Sequence, residues 1–332
     1  MKGRSAALIL SAAAIAAALA ATFGGGRSFR PAAEGLGGPV LGLEMDPQEV
    51  SRFELARGGA VATVERCATE WRLPRKLSLR ADQERADRLV EKLCLLRRDE
   101  IAGTGPEARG EFGLEGPKSM RATLYGKSGL ALGEILIGDA SPNGEGTYVG
   151  RADSGEVILA GTALAGDVSA DALDWLEGVL IHHLSPGQIE EATVRNPLRP
   201  PYTVRVEDGR PRLADAREGE KPDERAMTAF LAAIARAGYA DARRREKGET
   251  IEGATAIDIA ISGGRTARIE TRLKREGERY APLLLSALDR DGEREETPET
   301  GGGIVFLVPD STAEALTPER GRFVGAPDQS AR

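Results

Sequence analysis

Apolar and polar residues alternate with the period of β-strands in two similar series along the chain. In the first series, short strands are predicted over residues 53–55, 61–65 and 71–73, and a helix is predicted over 81–97. The apolar stripe of that helix recurs at spacings of three and four and consists of Ala86, Leu89, Val90, Leu93, Cys94 and Leu96. Turns that contain Gly or Asn then separate further predicted strands over 120–125, 130–137, 147–151 and 156–159.

A second series of the same kind follows residue 181. Strands are predicted over 192–194, 202–206 and 212–213, and Pro222 marks the start of a helix with the stripe Ala226, Phe230, Leu231, Ile234 and Ala237. Further strands are predicted over 256–261, 266–273, 282–287 and 304–308. Asp46 opens the first series and Ser185 opens the second, and the elements follow each of them in the same order. The sequence therefore predicts an internal duplication.

The N-terminal segment carries the strongest local signal. Lys2 and Arg4 precede an uncharged run over 6–23, which as a helix would reach ~27 Å, close to the thickness of a bilayer core. Positive charge on this short side predicts that the N-terminus stays inside and the remainder crosses the membrane. The rival interpretation is a cleaved signal peptide, because Ala18-Leu19-Ala20 offers the small-x-small pattern of a processing site. Both interpretations put the body outside the cytoplasm.

We favour the retained anchor, and hence a single-pass protein of the inner membrane with its body in the periplasm. The predicted fold class is α+β, with two tandem units of antiparallel β-sheet and packed helices, preceded by one N-terminal transmembrane helix (residues 1–23). A flexible linker is predicted over 24–40, the first unit over 41–180 and a second, diverged unit over 181–312. Residues 313–332 lose periodicity and are predicted to form a loose tail.

Charge and aromatic content argue against nucleic-acid binding. The net charge is −7, and because residues 1–30 carry four positive charges and no acid, residues 31–332 sum to −11 (−7 minus 4). An acidic body repels phosphate backbones, and aromatic residues, which stack on bases, make up only 4% of the chain.

The cysteines and histidines are candidate chemical groups. An oxidising compartment permits a disulfide between Cys67 and Cys94, and the alternative is two unpaired thiols with Cys94 a small core residue. His182 and His183 are adjacent, and neighbours in an extended segment point to opposite faces, so they form a poor metal site. We interpret the histidine pair as part of a domain junction.

Other polar and glycine-rich patterns have structural interpretations. The carboxylates Asp167, Asp171 and Asp174, like Glu293, Glu295 and Glu296, are spaced as in helix caps or solvated loops. Two Gly-Gly-Gly stretches, at 24–26 and 301–303, lack the lysine and the strand–helix context of a phosphate loop. The cations at 243–247 are expected to lie at the end of a helix. Pro197, Pro200 and Pro201 are expected to form a rigid connector rather than a polyproline ligand. No catalytic, cofactor-binding or metal-binding residue is predicted, and we expect no enzyme.

The stretch from Phe112 to Pro117 has no counterpart in the second series. We interpret it as structural: Phe112 and Leu114 would cover the open end of the core, Gly113 would permit an unusual backbone angle, and Pro117 would block helix before the next strand.

The order of several short motifs resembles a known family. Trp71-Arg72-Leu73, the helix, the Glu-Phe-Gly-Leu-Glu-Gly-Pro stretch over 111–117, Ile137-Gly138 and the closing Leu-Asp-Trp-Leu of 173–176 follow one another as in the bacterial domain of unknown function 4340. The resemblance covers 41–180 well and 184–310 weakly. It implies an N-terminal membrane segment, often two copies of the unit, and a genomic setting beside ABC-type transporters with gliding-motility-like subunits. The implied partners are integral membrane transporter subunits, and the implied role is a docking accessory. The alternative is a soluble periplasmic binding module for a peptide, glycan or wall component.

Overall fold

The computed structural model describes residues 37–42, 44–288, 294–295 and 303–324. The predicted transmembrane helix, residues 24–36 of the predicted linker, the carboxylates Glu293 and Glu296 and residues 325–332 lie outside this part. Among the helices that are described, none is long and apolar enough to cross a membrane.

Two antiparallel β-sheets with four helices build the described part and give an α+β fold. The first sheet has the strand order β4-β3-β2-β1-β6-β7-β8-β9-β5, and two helices, α1 and α2, belong to the same half of the chain. Their bounds are β1 Val50–Arg57, β2 Ala60–Cys67, β3 Glu70–Leu73, β4 Leu79–Arg80, α1 Gln83–Cys94, β5 Glu100–Thr104, α2 Gly105–Glu111, β6 Met120–Gly126, β7 Ala131–Ala140, β8 Thr147–Arg151 and β9 Glu156–Ala160.

The second sheet has the order β12-β11-β10-β14-β15-β16-β18-β13, with β17 also paired to β16. Its elements are β10 Ile189–Arg195, β11 Tyr202–Glu207, β12 Arg210–Leu213, α3 Glu224–Ala235, β13 Asp241–Arg244, β14 Thr255–Ile261, β15 Arg265–Thr271, β16 Ala281–Leu288, β17 Arg294–Glu295, β18 Ile304–Val308 and α4 Asp310–Leu316. We call the two sheets with their helices the first and second unit.

The pairing registers of the two units match at their central strands. In β1 a bulge separates Val50, which pairs with Gly126, from Arg52. In β10 a bulge separates Ile189 from Glu191, at the place that corresponds to Val50 when Asp46 is aligned with Ser185. Because a one-residue slip would exchange the two faces of a strand, equal bulges keep equal faces buried.

The first core lies between the sheet and α1. Asp82 caps the helix by accepting a hydrogen bond from the Arg85 amide at 2.9 Å, and the predicted stripe of α1 is buried as expected. Phe53 of β1 packs edge-on against Trp71 and Trp175, with ring centroids 5.5 and 5.1 Å away. The main-chain oxygen of Trp175 accepts a 2.8 Å hydrogen bond from the Asp82 amide. The segment that ends the first unit is therefore fixed to the start of its helix.

The second unit is closed in the same way by residues that the sequence analysis assigned to a loose tail. That prediction was wrong for residues 313–324. Ala313, Leu316 and Phe323 are buried, and the main-chain oxygen of Phe323 accepts a 2.8 Å hydrogen bond from the Asp223 amide, at the start of α3. The segment is too short and too rich in charge to show a period, yet its few apolar side chains complete the second core.

The predicted linker and the predicted unit boundary are also corrected. Residues 37–40 belong to the first unit, because Val40 is buried and its amide donates to the Leu96 oxygen at 2.9 Å. The corresponding Leu180 amide donates to the Ala237 oxygen at 2.9 Å. The boundary between the units is a single residue, Glu177. Leu176 before it forms a β-bridge with Ala81 in the first unit, and the oxygen of Gly178 after it accepts from the Tyr239 amide in the second unit.

One predicted helix end was wrong, and four strands, β4, β5, β13 and β17, were missed. Helix α3 ends at Ala235, so the basic run at 243–247 does not terminate it; Arg243 and Arg244 lie in β13, and the rest of the run forms a turn. A main-chain hydrogen bond from Tyr239 to Gly178 turns the chain out of the helix before the cations begin. Strands β5 and β13 escaped prediction because both are short edge strands with little apolar alternation.

We expect the Phe323→Ala substitution to lower the free energy of unfolding by about 3–5 kcal/mol, because it empties a fully buried aromatic site. Urea unfolding followed by circular dichroism measures the loss. Leu198→Ala, at a site 92% exposed, is the matched control and should change stability by less than about 0.5 kcal/mol. Equal, small effects of both substitutions would restore the loose-tail interpretation.

Candidate functional site

Each sheet has an outer face, which is the face turned away from α1 or α3, and on both sheets this face carries a ladder of paired polar side chains. In the first unit the Tyr125 hydroxyl donates to Glu54 at 3.1 Å, and the Arg52 guanidinium lies 3.9 Å above the Tyr125 ring. In the second unit Arg195 binds Asp258 at 2.9 Å and Arg205 binds Glu191 at 2.7 Å. Cross-strand pairs of this kind stabilise neighbouring strands.

The edges of both sheets are protected against strand addition. The edge strands β4, β12 and β13 have two to four residues, and β12 contains Pro211, which has no amide to donate. Strand β5 is also short, and its register shifts between Ile101 and Gly103. Short, bulged or proline-containing edges are the usual means by which proteins prevent edge-to-edge pairing. Addition of a further strand at these edges is therefore disfavoured.

A segment of the first unit covers part of its outer face. We call residues 105–117 the first cover segment. Leu114 is buried against Leu136 and Val157, and the Phe112 ring lies 4.3 Å from the Tyr148 ring. Neighbouring residues of β7 and β9 contact the main core instead, so this apolar cluster lies on the opposite side of the sheet.

The structural interpretation of Phe112, Gly113 and Leu114 is therefore corrected in its location. These residues cover the outer face and not the open end of the main core. Gly113 does adopt the expected unusual backbone angle, with φ at +73°. A side chain on Gly138 would place its Cβ 2.2 Å from the Phe112 oxygen, so β7 and the cover segment need glycine at that contact.

The second unit covers the same place with a segment held by ion pairs. We call residues 245–254 the second cover segment; it has no helix, and Ile251 packs on Leu284 and Val305. Arg243 binds the Glu249 carboxylate at 2.5 Å and Arg275 binds Glu252 at 3.1 Å. Arg245 also donates to the main-chain oxygen of Glu249 at 2.9 and 2.6 Å. Sequence comparison of the two halves missed this correspondence because one cover segment is apolar and helical and the other is polar.

Three turns of the second unit share one device. Each turn has four residues and ends in Gly-Glu, with the glycine at positive φ. Two hydrogen bonds join the glutamate to the first residue of the turn. The glutamate amide donates to the main-chain oxygen of the first residue, and the glutamate carboxylate accepts from the amide of the first residue. An arginine from elsewhere then binds the carboxylate through two nitrogens. The turns are 217–220 with Arg320, 246–249 with Arg243, and 275–278 with Arg272.

The arginine hydrogen bonds hold the pKa of each turn glutamate well below its ordinary value of 4.5, at about 2 for Glu220, Glu249 and Glu278. These carboxylates therefore remain charged across the whole physiological range. They are structural anions, because each already has its cation. Residues 243–247 therefore include the end of β13 and arginines that bind the turn 246–249.

Each unit has an open cleft on its outer surface. In the first unit a cleft of about 350 Å³ lies between the Gly58-Gly59 hairpin and the first cover segment; its lining includes Arg57, Arg109 and Arg121. In the second unit a cleft of about 460 Å³ lies beside the second cover segment, and four arginines line it. Arg243, Arg272 and Arg275 of this second cleft bind Glu249, Glu278 and Glu252, and Arg279 lies 5.2 Å from the Tyr280 ring.

A charged seam joins the two units where sequence reasoning placed the histidines. His182 and His183 lie in a turn rather than in an extended segment, and the His182 Nδ1 is 3.6 Å from a Glu177 oxygen. Burial lowers the pKa of His182, while the Glu177 carboxylate opposes that shift. Glu177 also binds Arg80, which reaches Glu70 at 2.6 Å. The histidine pair is thus part of the junction between the units.

Packing across this junction is apolar as well as charged. Leu79, on the short strand β4 of the first sheet, is buried in the second core. Lys76, in the turn before it, binds Asp241 of β13 at 3.3 Å. The two units therefore share a continuous contact instead of a flexible connection.

The remaining candidate groups have local roles. Both cysteines are free: Cys67 is exposed, and Cys94 is buried, which together with Asp46 raises the pKa of its thiol to about 11. Asp167 binds Lys92 at 2.6 Å, and Asp171 accepts from the Leu173 amide as a helix cap. Within the described ranges, no group of three or more His, Cys, Asp or Glu residues is arranged to hold a metal ion.

Comparison with known proteins identifies a family and nothing closer. The family model described as "Domain of unknown function (DUF4340)" matches residues 71–253, more than half of the chain. That match begins at Trp71 of β3, crosses the charged seam and ends just before β14. No curated protein and no solved structure matches the chain.

We expect Gly138→Ala to destabilise the protein by about 1–3 kcal/mol, because the new Cβ would overlap the Phe112 oxygen and push the first cover segment off β7. Gly110→Ala is the matched control, since its Cβ meets no atom within 4 Å and alanine favours helix α2. Thermal unfolding of both variants tests the contact. A neutral Gly138→Ala would mean that the cover segment moves freely.

We expect Glu278→Gln to lower the free energy of unfolding at pH 7 by about 0.5–1 kcal/mol, a value kept small because the carboxylate is 36% exposed and solvent screens the pair. The folded-state pKa lies below the unfolded one, so the ion pair stabilises the fold above pH 4.5 and this contribution is lost as the pH falls from 4.5 to about 2. Urea unfolding at pH 7, 4 and 2 measures it.

The difference between wild type and Glu278→Gln should therefore shrink towards zero at pH 2. Glu276→Gln, in the same turn, removes an exposed carboxylate of equal charge and serves as the control. A pH-independent difference at Glu278 would show that the loss comes from packing and not from the charge.

Proposed function

Because the chain belongs to the DUF4340 family, we propose that it is a membrane-anchored, extracytoplasmic and non-enzymatic accessory protein that docks on an ABC-type transport or surface-assembly system. Its two tandem α+β units would form the docking body, and one N-terminal transmembrane helix would hold that body at the inner membrane. The partners would be integral membrane subunits of the transporter.

The observation that carries the proposal is the construction of the junction. With only Glu177 between Leu176 and Gly178, and with Leu79 buried in the opposite core, the two outer faces keep a fixed relation to each other. A rigid body with two outer faces that carry polar ladders and with protected edges is suited to docking, since little conformational entropy is lost on binding.

The distance to the membrane also suits a docking role. The first described residue is Gly37, and the uncharged run ends at Phe23, so the stretch 24–36 lies between them. A chain segment of that length spans at most ~45 Å when fully extended. A body anchored through residues 6–23 would therefore stay within reach of the extracytoplasmic loops of a membrane partner.

The proposal is tested by purifying the tagged full-length protein from native membranes in mild detergent and identifying its partners by mass spectrometry. We expect a permease and its ATPase to co-purify, and the intact mass to correspond to the uncleaved 35.2 kDa chain. A version that lacks residues 1–24 but is exported by a cleavable signal should recover far less of both partners. Full function of this released version would contradict the tethered role.

Docking through an outer face is tested with two charge reversals on exposed arginines. Arg205→Glu breaks the pair with Glu191 on the outer ladder of the second unit, whereas Arg225→Glu changes an exposed residue of α3. We expect the first variant to lower partner recovery several-fold and the second to leave it unchanged. A protein found processed after Ala20, soluble and alone would favour the exported binding module instead.

A further inference from the structure

The lining of the first cleft combines two leucine side chains with three arginines and the acid Glu115. Leu114 and Leu136, both nearly fully buried, lie at its base, and Val61 contributes a part-exposed apolar wall. Arg57, Arg109 and Arg121 reach the same space.

The acids at the cleft do not use all of this donor capacity. Arg109 donates to the Ser154 oxygen at 2.8 Å and lies 3.3 Å from Glu115, and Arg121 binds Glu134 at 2.9 Å. A guanidinium has five N–H donors, so Arg109 and Arg121 retain free ones. Arg57 is exposed at the end of β1 and is the third arginine among the lining residues.

The second unit serves as an internal control for these residues. In the first sheet Arg121 lies between its strand partners Ala56 and Leu136. In the second sheet Ala256 lies in the same way between Arg195 and Glu270. The same register therefore places Ala256 at the position of Arg121 and Glu270 at the position of Leu136. By the same alignment, Asn196 stands in for Arg57.

Arg109 has no counterpart either, because it lies on α2 and the second cover segment has no helix. The fold is thus built a second time without any of the three arginines. Their convergence is not needed for the sheet, the bulge or the core.

We infer that this cleft binds a carboxylate carried by an apolar group. Arginine pairs with carboxylates through two parallel hydrogen bonds, and the guanidinium rim would hold the anion while Leu114 and Leu136 contact the apolar part. Two sources have this chemistry: the C-terminal residue of a peptide and a short free carboxylic acid. The inference goes beyond the proposed docking role and does not rest on it, since small ligands test the cleft without any membrane partner.

The test uses the full-length chain in lipid nanodiscs with 13C-labelled leucine and isoleucine methyl groups. N-acetyl-leucine mimics a peptide C-terminus, hexanoate is a free acid, and N-acetyl-leucinamide is the uncharged match of the first. We expect saturable shifts of the Leu114 and Leu136 methyls with a Kd in the low millimolar range for the acids, and at least tenfold weaker binding of the amide. The Ile251 and Leu284 methyls, in the cluster of the second unit, should not respond.

Arginine variants then identify which side chains bind the carboxylate. Arg57→Gln and Arg121→Gln should each weaken acid binding at least fivefold, while Arg225→Gln, at an exposed position of α3, should not change it. The comparison of N-acetyl-leucine with hexanoate tells which source binds better, and either order supports the inference.

Three results would overturn the inference. N-acetyl-leucine and N-acetyl-leucinamide could bind equally, which would show that the carboxylate is not recognised. This comparison uses the wild-type protein, so no folding defect of a variant can affect it. The methyls could stay unshifted at ligand concentrations well above the millimolar range. Inorganic phosphate could shift the same methyls at lower concentration than either acid, which would make the site one for a bare oxyanion.

Discussion

The width of the sheets is the constraint on which the rest of the structure depends. At a spacing of ~4.8 Å, the nine strands of the first sheet extend over ~38 Å and the eight successive strands of the second over ~34 Å, whereas the 12-residue helices α1 and α3 are each only ~18 Å long. One helix cannot cover the buried face of such a sheet. The chain completes each core with aromatic closing segments that return to the helix start, through Trp175 in one unit and Phe323 in the other. Without them, a broad apolar surface would meet water.

Comparison of the two units distinguishes the features that both share from the features found in one unit alone. Both units keep the bulge, the capped helix, the closing aromatic and the pairing of the chain start with the segment after the helix. They differ in how the outer face is covered: the first cover segment uses apolar packing around Leu114, and the second uses arginine–glutamate pairs with a smaller apolar cluster. The features that differ are those in which the two units can have separate roles.

The junction turns two units into one body. Glu177 bonds toward Arg80 in the first unit and lies beside His182 at the start of the second, and the Leu79 side chain crosses into the opposite core. The family match spans the same junction, from residue 71 to residue 253. The junction is therefore as much a part of the family's domain as either sheet. A fixed pair of outer faces is a coherent basis for docking, and the arginine cleft would add a recognition feature to one of them.

The sequence by itself determined the elements with strong periodicity. Strands of alternating pattern, the stripe of α1 and the repeat that aligns Asp46 with Ser185 were all predicted, because two-residue and 3.6-residue periods follow directly from strand and helix geometry. The α+β class followed from the same patterns. The family was likewise recognisable from the order of short motifs around Trp71 and Phe112.

Only the tertiary structure decided the elements whose side chains gain their partners from distant segments. The closing role of Phe323, the edge strands β5 and β13, and the place of Leu114 on the outer face depend on contacts between residues far apart in the chain. The three Gly-Glu turns became visible as one device only when Arg320, Arg243 and Arg272 were seen to bind them. The cleft of the first unit likewise gathers Arg57, Arg109 and Arg121 from three elements. Periodicity records which face of an element is buried, but it does not record which remote group lies against that face.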